Sequence, residues 1–350
     1  MTRIFLIRHA ESEGNTYRRA HGHFNGQITT IGYAQIKELR NRFTNEKIDV
    51  IYSSDLDRTV ITAASLSEPR GLQINKNKKL REVDLGVWED TAWGDLEHYE
   101  PEMISCFNND PSSWNVPGGE DYESVQSRML SFINEIGEKH IGETVAVFSH
   151  GFAIRSLMCN LLDIKSEHIH KVPYFDNTGV ALLIYDDGVL TVEYHGDNSH
   201  LPDEISTFSR QTWWREGHEK VKENLRYKKI GSEACSENVG TTMGAIIDKV
   251  KFNLGYLAFL DNEPVGLLAL DDCPGDVGKI IYSYIKPKYK DRNFHEQLIG
   301  QVISVFRKLN KKVIQIDVSN DDVNEIEFLS KHGFNKVSDE KKHSVMELKL

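Results

Sequence analysis

The sequence predicts an α/β fold, a mainly parallel three-layer sheet, followed by a smaller α+β domain. Three observations predict it. Continuous apolar runs such as Thr144–Ser149, with no polar alternation, mark strands buried on both faces. These runs alternate with segments of helical spacing as far as Leu162, the order of a βα sheet. Beyond Glu223 the order becomes strand, helix, hairpin, strand, helix, strand, helix and terminal strands, which reads as α+β.

The chain opens with a strand, Arg3–Arg8. Thr30 to Phe43 reads as a helix, with Ile31, Ala34, Ile36, Leu39 and Phe43 on roughly helical spacing. Ile48–Ser53 is a β-branched strand, and Arg58–Leu66 is a helix closed by Pro69 and Gly71. Trp88 to Gly119 reads as loop-rich. Asp121–Lys139 is a long helix, Thr144–Ser149 a strand, and Gly151–Leu162 a helix entered at once from it. Gly179–Asp186 and Val189–His195 form a hairpin across Asp187-Gly188. In the second block, strand Leu225–Ile230 and helix Val239–Val250 precede a hairpin turning at Asp261–Glu263. Strand Lys279–Ile285, helix Phe294–Leu309, strand Val313–Val318 and helix Asp322–Lys331 then lead to the terminal strands.

The 350 residues divide into domains at 1–196 and 223–350, joined by a polar bridge over 197–222. The bridge carries Trp213-Trp214, an aromatic pair expected to pack between the domains. Against 42 Lys plus Arg stand 53 Asp plus Glu, a net charge of −11 that argues against non-specific nucleic-acid binding. A local cluster of cations still suits a small anionic substrate. No apolar run approaches the roughly 18 residues of a membrane span, and the run before Arg8 is too short for a secretory core. A cytoplasmic protein is expected, with Cys106, Cys159, Cys235 and Cys273 as reduced thiols.

The strongest motif is Leu6-Ile-Arg8-His9-Ala-Glu11-Ser12-Glu-Gly14-Asn15. It stands at the end of the first strand, where open α/β sheets bind ligands. Arg8 offers a planar fork to two phosphate oxygens. His9, if neutral, offers an imidazole that can attack phosphorus. Arg58 sits in the first turn of a helix after a buried strand, a natural anion position. Leu80-Arg-Glu82-Val-Asp84-Leu-Gly86-Val-Trp88-Glu89 supplies carboxylic acids in a semi-apolar loop. His150 ends another buried strand and meets the same edge as His9. Positions 82 and 84 of an extended segment face one side, so spacing does not choose between Glu82 and Asp84.

These four separated pieces, in this order, resemble the histidine phosphatase (phosphoglycerate mutase-like) superfamily. Gly26-Gln27-Ile28-Thr29-Thr-Ile-Gly32 is similar to the family's loop before its first helix, and Pro117-Gly-Gly-Glu120 with Arg128 is similar to a segment of its phosphatase branches. Ala10 replaces the glycine of the usual R-H-G, and Asp121 ends the second segment. The resemblance implies that His9 forms a phosphohistidine and that Arg8, Arg58 and His150 hold the phosphoryl oxygens. It implies Asn15 and Gln27 as substrate-binding residues. Its L-x-E pattern favours Glu82 as the acid that protonates the leaving alkoxide and then the base for water. No metal and no cofactor is called for, since the cations supply the charge. The short region between Gly86 and Gly119 favours hydrolysis over a phosphoglycerate mutase-type transfer. The expected partner is a small phosphorylated metabolite, with no nucleic acid and no membrane; its identity and the oligomeric state stay open. Arg18, Arg19 and His21 are either a second anion contact or solvated loop charges. His21-Gly-His23 and His168-Ile-His170 read as loop histidines and not metal pairs.

The second block resembles the GNAT N-acetyltransferase family through Asn262-Glu-Pro264-Val-Gly266, Tyr284-Ile-Lys-Pro287-Lys-Tyr289-Lys290 and Lys331-His-Gly333-Phe334. The resemblance implies acetyl-coenzyme A, with its pyrophosphate over a glycine-bearing loop at a helix start. That loop is Lys290-Asp-Arg292-Asn293-Phe-His295 here, which makes Asn293 and His295 the cofactor-facing candidates. The family's usual tyrosine acid is replaced by Leu329, and an earlier asparagine by Asp322. Two readings follow for this block: an active acetyltransferase with a non-standard acid, or a fold kept for ligand sensing, docking or stability. For the whole chain the alternatives are a phosphatase with an accessory domain, a bifunctional phosphatase and acetyltransferase, and a non-catalytic sensor.

Overall fold

The computed structural model describes residues 1–215, 222–231, 250–339 and 342–350. It divides into two compact units. The first comprises Met1–Asn15, Ala20–Thr91 and Tyr99–Lys220; the second comprises Thr16–Arg19, Ala92–His98 and Val221–Leu350. The described part of the segment after residue 196, up to Arg215, therefore clusters with the first unit.

The first unit is built on β1 (Thr2–Arg8), β2 (Val50–Ser53), β3 (Ile74–Lys76), β4 (Thr144–Ser149), β5 (Val180–Asp186) and β6 (Val189–Asp197). Their order is β3-β2-β4-β1-β5-β6. The ladders from β3 through β1 are parallel, and β5 and β6 add an antiparallel hairpin at one edge. Every residue of β4 is buried, as its unbroken apolar run requires. Phe5, Ile7, Ile51, Ala146 and Phe148 pack against Leu39 of helix Thr30–Arg42, its C-cap Phe43, and Ala63 and Leu66 of helix Asp57–Ser67. Helices Tyr122–Lys139 and Gly151–Leu161 pack on β1, which completes three layers. The β5–β6 turn has Asp187 at φ 46° and Gly188 at φ 83°, two positive angles that an aspartate–glycine pair tolerates.

The region read as loop-rich holds two short helices, Trp93–Tyr99 and Pro101–Asn109. Their apolar faces are too short to show a period in the sequence; Pro101 starts the second helix at its first turn, where a missing N–H does no harm. Trp213 packs edge-on to Tyr174 and Phe208, and Trp214 stacks on Phe208, all within the first unit.

The second unit contains β7 (Arg226–Ile230), β8 (Leu254–Leu260), β9 (Glu263–Asp271), β10 (Val277–Ile285), β11 (Val313–Ser319), β12 (Asn335–Asp339) and β13 (His343–Lys349). They form one sheet in the order β12-β13-β11-β10-β9-β8-β7, parallel only between β10 and β11. Helix Phe294–Lys308 buries Phe294, Leu298, Val302 and Phe306 in its core. The helix expected from Val239 to Val250 lies outside the described residues, save Val250 itself. Arg18 and Arg19 take neither expected role. Arg19 donates to Gln301 Oε1 at 3.0 Å and Ser304 Oγ at 2.7 Å, and Arg18 donates to Asn224 Oδ1 at 2.9 Å. Both are buried within this unit rather than solvated. No helix of the described residues is long and apolar enough to cross a membrane.

Candidate active site

Strand register brings the two histidines together. Arg8 pairs with Ser149 across the parallel β1–β4 ladder, so His9 and His150 leave adjacent strands side by side. Their rings lie 5.2 Å apart between centroids. Arg58 arrives from the helix after β2, the next strand in the sheet. All four residues are buried at the C-terminal edge of the parallel strands.

Hydrogen bonds assign the protons. His9 Nδ1 lies 2.7 Å from Ala10 O, which can only accept, so Nδ1 carries the proton and the Nε2 lone pair is free. Burial, then Arg58 and Arg8, holds His9 well below its ordinary pKa, which keeps it neutral. Arg58 Nε donates to His150 Nδ1 at 3.1 Å, so His150 carries its proton on Nε2. His150 is likewise held well below its ordinary value by burial, with Arg58 next. Burial lowers Arg58 to about 10, still cationic at neutral pH.

At this site two buried N–H groups have no hydrogen-bond partner among the described residues: Arg8 Nε and His150 Nε2. Two orphaned donors beside a free imidazole lone pair describe a cup shaped for an anion. The rest of Arg58 is fixed in place, donating to Phe24 O at 2.9 Å and Gly22 O at 2.6 Å. That carbonyl pair is organised by Glu89, whose carboxylate accepts the N–H groups of Gly22, His23, Phe24 and Leu85. Arg8 is anchored through Phe175 O at 2.5 Å.

The carboxylates separate clearly. Glu82 accepts N–H groups from Phe152 at 3.0 Å and Ala153 at 2.8 Å, at the start of the helix that follows His150. It also lies within electrostatic reach of Arg8 and Arg58. Asp84 closes a turn with Gly86 N and faces His23 Nδ1 at 3.1 Å. Arg128 supports the Glu82 segment, donating to the carbonyls of Lys79, Arg81 and Glu82 while paired with Glu120.

Asn15 Oδ1 accepts from Ser12 N at 3.0 Å and Asn177 Nδ2 at 3.3 Å. Gln27 is exposed, and its backbone pairs with Glu13. His21 and His23 turn to different carboxylates, Asp90 and Asp84. Among the described residues no group of three His, Cys, Asp or Glu side chains forms a metal set. Asp176 and Asn177 stand in no sequence motif, since polar residues between apolar runs look like an ordinary turn, and the place of Glu89 beneath Gly22 and Phe24 shows only in the fold.

In the second unit, the parallel β10–β11 ladder stops at Ile280 and Ile316 while both strands continue. The two strands part there. In the loop that would receive a cofactor pyrophosphate, three backbone N–H groups bond within the loop. Phe294 N bonds to Arg292 O at 2.7 Å, Arg292 N to Tyr289 O and Lys290 N to Pro287 O. Asn293 Nδ2 donates to Thr16 O at 3.2 Å, and the His295 ring lies 6.0 Å from Phe328. Asp291 adds an exposed carboxylate to the loop. Leu329, standing where the tyrosine acid was expected, is fully buried in the core. Asp322 caps the helix Val323–Lys331 through Glu325 N.

The sequence profile of the histidine phosphatase superfamily (branch 1) matches residues 4–198, and that of the acetyltransferase (GNAT) family matches residues 221–334. Phosphoserine phosphatase 1 of Hydrogenobacter thermophilus is 34% identical over 164 residues, covering 47% of this chain and 78% of its own. Phosphoglycerate mutase-like protein 4 of Arabidopsis thaliana is 31% identical over 202 residues, covering 57% and 86%. The solved structure of Bacillus stearothermophilus YhfR superposes with a TM-score of 0.55 at 30% identity, covering 57% of this chain and 99% of that one. Four motifs meeting in one anion cup, together with a match over residues 4–198, place this chain in the histidine phosphatase superfamily (branch 1), with a GNAT-family domain following in the same chain.

Proposed function

We propose that this protein hydrolyses small phosphomonoesters through a phosphohistidine on His9, without a metal ion. The observation that carries the reading is the neutral His9 with a free Nε2, set among Arg8, Arg58 and the outward N–H of His150. Nε2 attacks phosphorus as the ester P–O bond breaks. The departing alkoxide takes a proton from Glu82. Water then gives a proton to Glu82 and attacks phosphorus; the N–P bond breaks and its electron pair returns to Nε2. Arg8, Arg58 and the Nε2–H of neutral His150 hold the three non-bridging oxygens, and the positive charge of the two arginines takes the place a divalent cation would fill.

The named relative makes phosphoserine the first substrate to try, within a panel of phosphorylated metabolites. Release of inorganic phosphate, unchanged by chelator and abolished in His9→Ala, is the expected result. Activity that vanishes with chelator, or survives in His9→Ala, would overturn the reading. Transfer of the phosphoryl group to an acceptor alcohol in place of release would favour the mutase.

For the second domain the reading is an accessory fold that does not use acetyl-coenzyme A. The inward bonds of Asn293, the His295–Phe328 contact and the buried Leu329 support it. Burial, with Lys290 next, also lowers the pKa of His295.

A further inference from the structure

Residues 199–215 fall outside both family matches, yet they belong to the first compact unit. Four of their side chains reach the residues behind the anion cup. Arg210 pairs with Glu11, whose carboxylate is buried. Ser206 Oγ donates to Asp176 Oδ2 at 2.7 Å. Gln211 Nε2 donates to Asn15 O at 3.1 Å. Thr207 Oγ lies 3.0 Å from Asn177 Oδ1 and 3.2 Å from Gln35 Nε2.

Backbone groups fix the orientation of the amides among these contacts. Glu11 N can only donate, so the Gln35 atom 2.8 Å from it is the carbonyl oxygen. Gln35 Nε2 therefore donates to the Thr207 hydroxyl, whose own proton has Asn177 Oδ1 at 3.0 Å and the Glu11 carboxylate at 3.3 Å as acceptors. Asn177 Nδ2 then donates to His9 O at 3.0 Å, a carbonyl that can only accept, and to Asn15 Oδ1 at 3.3 Å. Ser12 N, another obligate donor, also meets Asn15 Oδ1. Three amides are thus oriented by three backbone groups. The outcome at the far end is that Asn15 has its oxygen committed and its NH₂ remaining as the donor for an anion.

We propose that Thr207 and Gln211 are positioning residues of the phosphatase site, through which the segment after residue 198 orients the Asn15 carboxamide toward the phosphoryl oxygens. The inference rests on the phosphatase reading for what Asn15 contacts. Without the Thr207 hydroxyl, Asn177 Oδ1 is left buried without that donor, and the Asn177 amide is held only through His9 O and Asn15 Oδ1. The Asn15 carboxamide then rests against a less firmly held partner and turns more readily from the orientation that presents its NH₂ to the anion.

The test uses the full chain and two readouts: calorimetric affinity for inorganic phosphate, and KM and kcat for the best substrate of the panel. Thr207→Val is expected to weaken phosphate binding and raise KM about tenfold, with a smaller change in kcat. Thr207→Ser should restore both. In an Asn15→Ala background, Thr207→Val should add nothing, which a merely structural role would not produce. If Thr207→Val does not fold, Gln211→Met carries the same comparison. Wild-type affinity and KM in these variants, or an equal penalty with and without the Asn15 carboxamide, overturns the proposal. A wild-type chain that binds phosphate but hydrolyses nothing sinks the phosphatase reading instead, and the affinity comparison still judges this one.

Discussion

Arg58 Nε donates to His150 Nδ1 at 3.1 Å, and that one bond decides which nitrogen of His150 faces the anion cup with a proton. The same guanidinium is clamped by Phe24 O and Gly22 O. Arg58 therefore acts both as a charge and as the group that sets a tautomer. Arg58→Lys keeps the charge and loses the fork, so turnover should fall about 10²- to 10³-fold, as when an oxyanion donor is removed. Steady-state kinetics on the lysine variant check this; a loss under about threefold would mean that charge alone suffices.

The two candidate carboxylates differ in what holds them. Glu82 sits on the N–H groups of Phe152 and Ala153, beside His150, while Asp84 closes a turn on Gly86. Glu82→Gln should lose about 10²- to 10⁴-fold in kcat, and Asp84→Asn only a few-fold. Measured turnover in the reverse order would transfer the acid role to Asp84.

His200 gives stability a pH dependence. Arg42 donates to its Nδ1 at 3.2 Å and Thr178 Oγ1 lies 3.1 Å from Nε2, an arrangement suited to the neutral ring. Burial, then Arg42, lowers its pKa from 6.5 to about 4. Between those values the unfolded chain binds a proton that the folded chain refuses, so stability falls with pH through this window and is intact above 6.5. His9 and His150 act in the same direction. The melting temperature should therefore drop from pH 6.5 toward 4, and by less in His200→Gln. Equal drops in both proteins would remove His200 from the account.

The bonded loop before helix Phe294–Lys308 leads to a binding prediction. Calorimetric titration of the full chain with acetyl-coenzyme A should show no saturable micromolar binding, because Asn293 and the N–H of Phe294 are already engaged. Saturable binding, weakened by Asn293→Ala, would restore the acetyltransferase reading.

Local chemistry wrote much of this protein into its sequence. The unbroken apolar run Thr144–Ser149 could only be a strand covered on both faces, and an Arg-His pair at the end of such a strand announces anion chemistry. Composition marked −11 of net charge as a property of the surface and left the pocket to its own arginines. Periodicity had less to say where elements are short, which is why helices Trp93–Tyr99 and Pro101–Asn109 read as loop.

What only the tertiary structure decided was direction. Glu82 and Asp84 share a face in the sequence, and it took the helix start at Phe152 to separate them. Arg19 looked like a loop charge until Gln301 and Ser304 enclosed it. Asn177, Thr207 and Gln211 carry no motif at all, and they gain meaning only through partners far along the chain. The physical reason is common to all of them. A hydrogen bond depends on which atom faces which, and for residues distant in sequence that is settled by packing, not by spacing.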